Sequence, residues 1–328
     1  MNKKVNIKDF LINNGIIIVL SILVVYVSIS QPNFLTVKNI MNIAINAAPR
    51  VIIAFGVCGC LITKGTDLSA GRVVGLSACI AGTMLQKPDY SGKFFPNLPE
   101  LNLFLVFLIA IAVCSIFGLI NGIIVAYLSV PAFIGTLGMQ LVVYGVCLVY
   151  TNATPIGGYR ADYISFTQGR LFGVVPYLFI YALIIGLIMW FIFNMTRHGK
   201  YMYAIGGNEA AAEVSGVNVK KTKIMIYVTA AILYAIGGIL LGGKTGGTSV
   251  NMGQGYELEA IASCTIGGVS VNGGIGRISG VVIGVMVFEL LKSSLQFLGV
   301  QTNYQYIVQG IVIVVAIALD IRKYIAKK

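Results

Sequence analysis

The sequence predicts an all-α integral membrane protein with about ten transmembrane helices in a single domain. Three observations carry that expectation. Of the 328 residues, 57% are hydrophobic and only 10% are charged. Apolar runs recur along the whole chain, and roughly 20 such residues are needed to cross the hydrocarbon core. The runs are continuous rather than alternating at period two. Backbone groups in lipid must be paired internally, so helices rather than a barrel are expected.

The elements follow in order. Residues 1–14, with Lys3, Lys4 and Lys8, form a polar N-terminal segment. Gly15–Ser30 is the first span. Ser28-Ile29-Ser30 resembles a signal-peptide cleavage site, but nine apolar segments downstream favour an uncleaved helix. The next spans are Ile43–Thr63, Arg72–Gln86, Leu103–Leu128, Ala132–Thr151 and Val175–Asn194. After a polar loop, residues 196–223, come Ile224–Gly243, Leu258–Val271, Ser279–Leu298 and Tyr304–Ile321. The first, third and eighth are short, so residues 72–86 and 258–271 are candidates for half-crossings. Residues 322–328 form a basic tail. One transmembrane domain, residues 15–321, leaves no room for a soluble catalytic domain.

Lysine and arginine set the orientation. With the N-terminus in the cytoplasm, fifteen fall inside: the N-terminal lysines, Lys64, Arg72, those of the 196–223 loop, Arg277 and the tail. Seven fall outside: Lys38, Lys87, Lys93, Arg160, Arg170, Lys244 and Lys292. Arg50 lies within a span and is left unassigned. Both termini are therefore expected in the cytoplasm. The net charge of +12 is an orientation signal. No basic soluble face exists to bind nucleic acid.

Glycine is abundant, at 39 residues, often at small-xxx-small spacing that lets helices approach closely. Intramembrane ionisable groups are rarer and more telling. Glu257 and Glu259 open the eighth span, and Glu289 is expected to pair with Lys292 at i,i+3. Asp67, in Thr66-Asp67-Leu68-Ser69, reads as a helix cap, a pathway residue, or both. Ala70–Gly75 is faintly echoed by Ile275–Gly280, a hint of two related halves. Threading puts both echoes on one side, whereas an inverted repeat needs opposite sides.

Several chemistries are disfavoured. The six cysteines sit in or beside apolar spans, and there is one histidine, His198, so no metal site is expected. Gly238–Thr245 fits the phosphate-loop pattern, but it ends an apolar helix with no strand before it. No nucleophile–base pair or spaced carboxylate pair suggests an enzyme.

The polar loop is the most informative stretch. Asn208 is a good N-cap, with Glu209 in the first turn near the positive end of the dipole. Ala210, Ala211 and Ala212 are strong helix formers, Glu213 and Ser215 follow, and Gly216 is placed to terminate the helix. A helix of about two turns results. Ala210, Val214 and Val217 form a narrow apolar stripe. So short a helix is marginal alone and is expected to be steadied by its own chain or by a docking partner.

These residues also carry a resemblance. GGNEAAAEVSGVNVKK resembles the ATPase-contacting loop of ABC importer permeases. GTDLSAGRVVGLSA, GLINGIIVAYLSVPAFIGTLGMQLVVYG and YELEAIASCTIGGVSVNGGIGRISGVVIG resemble signatures of the ribose/galactose-type sugar permeases. Together they cover most of the chain beyond residue 45. The chain is identified as a member of that family, nearest its galactose/methyl-galactoside branch through ITKGTDLSAGRVVGL and HGKYMYAIGGNEAAAEVSGVNV.

The resemblance implies a ten-helix core similar to the vitamin B12-type importers, set in the cell inner membrane. It implies a homodimer of permeases, a separate ATPase subunit and a periplasmic sugar-binding protein. ATP and Mg2+ would sit on the ATPase, with no cofactor in this chain. The short helix Asn208–Ser215 would couple the ATPase to the spans. A neutral monosaccharide calls for hydrogen-bonding groups along its route, and Asp67, Ser69, Asn46, Asn121, Thr136 and Gln140 are the candidates. The competing expectation is a secondary sugar carrier driven by an ion gradient, which would need a buried acid such as Asp67 or Glu289. A channel or a scaffold subunit is the third.

Overall fold

The computed structural model describes residues 7–325. The expectations that rest on Lys3, Lys4, Lys327 and Lys328 lie outside the described residues. Thirteen helices and one small hairpin follow in order: α1 (Ile7–Ser30), α2 (Val37–Ile62), α3 (Ala70–Met84), α4 (Leu103–Ala126), α5 (Ala132–Thr151), α6 (Ala161–Gln168), β1 (Arg170–Leu171), β2 (Val175–Pro176), α7 (Tyr177–Met195), α8 (Arg197–Gly207), α9 (Glu209–Val214), α10 (Val219–Thr245), α11 (Tyr256–Ile266), α12 (Ile278–Phe297) and α13 (Thr302–Ile325).

Among the described residues, 7 helices are long and apolar enough to span a bilayer: α2, α4, α5, α7, α10, α12 and α13. The two segments flagged as half-crossings are short. α3 has 15 residues and α11 has 11. At 1.5 Å per residue these measure about 22 and 16 Å, against a hydrocarbon core of about 30 Å. Two long helices start earlier than hydropathy indicates, because polar caps set their ends. Thr36 accepts a bond from the Asn39 amide before α2. Asn218 accepts one from the Lys221 amide before α10.

The core lies where α10 packs on α2, α3 and α4. α3 is buried along almost its whole length. Irregular segments, residues 63–69 and 246–255, precede α3 and α11. The first turns of these two short helices meet. A methyl at Gly71 would overlap both Glu257 Oε2 and the Gly253 carbonyl, so the approach needs glycine there.

The two short helices then diverge. The end of α3 leads to a bridge between Gln86 and Tyr159. α11 leads to a turn in which the Gly274 amide donates to the Ile62 carbonyl at 2.8 Å. The sequence echo had paired the start of α3 with that of α12. The structural counterpart of α3 is α11: each is short, follows an irregular segment and runs to the opposite end.

One end of the bundle gathers the close of α2, Gly206 of α8 and the Gly273–Gly274 turn, with Lys64 packed against Gly273. The other gathers Gln86, Ile156, Tyr159 and Thr248. This grouping keeps Lys64, the 196–223 loop and Arg277 apart from Lys87, Arg160 and Lys244, as the charge partition had them. Arg72 belongs to neither end. It donates to the Val250 carbonyl at 3.3 Å and lies 4.1 Å from the Tyr144 ring centroid.

α6 and the hairpin were not foreseen, since neither has an apolar period of its own. α6 opens on Asp162, whose carboxylate is paired with Arg160. That hydrogen bond holds Asp162 below the usual carboxylate range. The contribution to stability is present above the unfolded value of about 3.9. It is lost as pH falls through the lower folded value. Acid titration followed by NMR of a 13C-labelled Asp162 carboxylate is expected to show that depressed midpoint, and Arg160→Gln to restore it. The ion pair itself contributes little to global stability, because the Asp162 carboxylate is solvent-screened.

Candidate functional site

Two features stand out: a structured platform built from the polar loop, and a large polar cavity at the other end of the bundle.

The platform begins with α8, an amphipathic helix that was not expected. Thr196 caps it by accepting from the Gly199 amide at 3.2 Å. Burial lowers the His198 pKa and favours the neutral imidazole. Gly206 lies so close to the Ile62 carbonyl that a methyl would overlap it, which ties the platform to the end of α2.

α9 matches the expected short helix. Asn208 Oδ1 accepts from the Ala211 amide at 3.0 Å. Ser215 Oγ donates to the Ala211 carbonyl at 2.7 Å. Gly216 closes the helix at φ 85°. Glu209 pairs with Lys223 of α10 at 2.7 Å. Removing the cap with Asn208→Ala is expected to cost about 1 kcal/mol, read as faster amide exchange at Ala211 and Ala212.

The expected stripe is corrected. Ala212 and Val217 turn inward and pack with Ile205 and Val219. Ala210 and Val214 face outward instead, with Val214 91% exposed. The chain leaves α9 after six residues, so Val217 lies beyond the helix and is not on its face. The outer face is Glu209, Ala210, Glu213 and Val214.

The six expected pathway residues divide. Asp67, Ser69, Asn121 and Thr136 come together in one buried knot. Asp67 Oδ1 accepts from the Ser69 amide at 3.0 Å and the Ser69 hydroxyl at 2.6 Å. Asn121 Nδ2 donates to Ser69 Oγ at 2.9 Å. Thr136 Oγ1 accepts from the Leu68 amide at 3.0 Å. The position ahead of α3 belongs to Ser69 and has no side-chain cap bond, so Asp67 fixes the turn rather than capping the helix. The knot pins residues 66–69 between α4 and α5. Gln140 is half-buried, one turn along α5 from Thr136. Asn46 lies apart from all of these.

Asn46 is on the wall of a half-open cavity of about 1210 Å³ lined by α2, the end of α10, α12, residues 167–178 and Gln305 of α13. At its base is an ion cluster joining three helices. Arg50 Nε lies 3.2 Å from Glu259 Oε2 and 3.1 Å from Glu289 Oε1. Lys292 Nζ lies 2.6 Å from Glu259. The expected Glu289–Lys292 pair is the loosest member, at 3.7 Å; Lys292 turns to the nearer acid on α11. Arg50 also donates to the Tyr256 hydroxyl at 3.2 Å.

Gly238–Thr245, the phosphate-loop lookalike, is helical throughout, at the end of α10. Its Lys244 Nζ donates to Asn46 Oδ1. Sequence reading missed this cavity, although a signal was present. Asn39, Asn42, Asn46 and Arg50 recur at helical spacing along an otherwise apolar α2 and mark one polar face.

Residues 39–317 match the family described as branched-chain amino acid transport system / permease component. The galactose/methyl galactoside import permease protein MglC of Escherichia coli K12 is 44% identical, over 100% of this chain and 99% of that protein. MglC of Haemophilus influenzae is 43% identical over 98% of this chain and 97% of its own length. The ribose import permease protein RbsC of Escherichia coli K12 is 36% identical over 96% of each. No solved structure matches significantly.

Proposed function

The chain belongs to the family described as branched-chain amino acid transport system / permease component, and from that premise we propose that it is the membrane-spanning permease of an ATP-binding cassette sugar importer. It is a transport component and not an enzyme. A fold shared across a family does not set the cargo. The substrate therefore follows the full-length relatives, which are named for galactose, methyl galactoside and ribose. Galactose or methyl galactoside is the first choice, because those relatives are the more similar.

The observation that carries the mechanism is α9. A capped six-residue helix, seated on its own chain by Ala212 and presenting Val214 to solvent, has the form of a docking element. It passes the movement of a separate ATPase, which holds ATP and Mg2+, into α8, α2 and α10. A sugar-binding protein delivers cargo at the far end. A second permease copy completes the pore in the inner membrane.

In this reading the seven long helices together with α1, α3 and α11 make a ten-helix core similar to the vitamin B12-type importers. The α9 end and both termini face the cytoplasm. Asn46 contributes to the sugar route from the cavity wall. Asp67, Ser69, Asn121 and Thr136 contribute through the break that they pin, and Gln140 through its place on α5.

The test is uptake of radiolabelled galactose into proteoliposomes containing permease, ATPase and binding protein. Uptake is expected to require ATP on the α9 side. Uptake that persists without the ATPase and follows a proton gradient would replace this reading with the ion-driven carrier.

A further inference from the structure

We propose that the cavity between α2, α10 and α12 is itself a monosaccharide-binding site. In it the Lys244 ammonium and the Asn46 amide meet sugar hydroxyls. The inference rests on the sugar-importer reading and adds to it a binding site within a single permease chain.

The cavity's volume of about 1210 Å³ exceeds the usual range for small-molecule pockets, roughly 300–1,000 Å³. A monosaccharide fits with water around it. The wall offers neutral donors and acceptors in Asn42, Asn46 and Gln296, an acceptor in Gln168, whose amide nitrogen is held by the Gly243 and Lys244 carbonyls, and the ring of Phe297. Amides match hydroxyls, and an aromatic face matches the C–H face of a pyranose.

Lys244 is the informative group. Arg50, Glu289 and Lys292, also on the wall, are engaged with carboxylate partners or with one another, and Lys38 and Arg170, the other cations there, are exposed to solvent. Among the described residues Lys244 has no carboxylate within ion-pair distance, although it is only half exposed. Its side-chain partner is Asn46 Oδ1. An ammonium has three donors, so two are left for whatever the cavity holds. A partly desolvated cation without a counter-ion is costly. A ligand that accepts its hydrogen bonds offsets that cost.

The alternative chemistry is an anion, since the wall carries more positive than negative groups. The neutral amides and the Phe297 ring favour the sugar, because an inorganic anion has no use for an apolar face.

The experiment uses the assembled permease–ATPase complex in lipid nanodiscs without the binding protein. Saturation-transfer NMR is recorded with galactose and methyl galactoside, and inorganic phosphate serves as competitor. Both sugars are expected to bind. Lys244→Met is expected to weaken binding about tenfold or more, the loss for one charge-assisted hydrogen bond. Lys244→Arg, which keeps the charge and donors, is expected to retain most of it, and Phe297→Ala to weaken binding independently.

Phosphate that displaces the sugar in a Lys244-dependent way would overturn the assignment in favour of an anion site. Import of sugar by the full system with no sugar signal from the permease, or with wild-type affinity in Lys244→Met, would overturn this inference alone. Absence of any ATP-driven sugar import would instead remove the reading beneath it.

Discussion

Val214→Asp is expected to abolish ATP-driven uptake while leaving the permease folded. Val214 is 91% exposed at the end of α9 and is left almost wholly to solvent by its own chain. A surface substitution of that kind changes stability by no more than about 0.5 kcal/mol. In the proposed docked state the same side chain is enclosed by the ATPase. A carboxylate buried there without a partner costs several kcal/mol, and about 3 kcal/mol is already more than a hundredfold in affinity. Thermal unfolding of the purified permease should therefore be unchanged. Co-purification with the ATPase and sugar uptake should both fall to background. Wild-type uptake by this variant would show that α9 is a connector and not a docking element.

The second large effect is expected at the cavity floor. Arg50→Met should lower stability by about 3–5 kcal/mol, the usual cost of leaving a buried ionic partner unpaired. Arg50 faces two acids at once, Glu259 at 3.2 Å and Glu289 at 3.1 Å. Glu259 keeps Lys292 at 2.6 Å and is still neutralised when Arg50 is lost. Glu289 is left with only the looser Lys292 contact at 3.7 Å. The double variant Arg50→Met/Glu289→Gln removes one charge of each sign and preserves the Glu259–Lys292 pair. It is expected to recover most of the loss. Thermal unfolding in nanodiscs distinguishes the two. An unchanged melting temperature in Arg50→Met would mean that the cluster is hydrated and contributes little.

Long spans were legible in the sequence because hydropathy reports burial in lipid directly. α5 begins and ends where the apolar run does, Ala132–Thr151. α9 was legible for a different reason. Its signals are local: a cap at Asn208, three alanines and a closing glycine. α6 and the hairpin lack both kinds of signal, since they are short, polar and placed by contacts with distant residues; α8 carries only its Thr196 cap. The ion cluster at the cavity floor was illegible because it joins residues far apart in the chain, although the polar face of α2 marked one wall. Arg50 and Glu259 are 209 residues apart, and no local pattern joins them. A further hint was Arg50 itself, a cation inside an apolar run, where ionisable groups are rare without a function. Conversely, Asp67, Ser69, Asn121 and Thr136, named as candidates for the sugar route, fall together in the buried knot that pins residues 66–69. Hydrogen-bonding capacity alone did not separate residues that line a route from residues that pin a turn.

α2 and α10 each run unbroken from the α8–α9 platform to the cavity wall. α10 carries Val219 at one extremity and Lys244 at the other, 27 residues in all. Under the proposed reading these two struts connect both sites, and any coupling that they carry is thermodynamically reciprocal. If nucleotide-driven gripping of the platform alters the hold on cargo by some factor, cargo must alter the gripping by that same factor. The permease is then a sensor as much as a conduit, reporting to the ATPase whether there is anything to move.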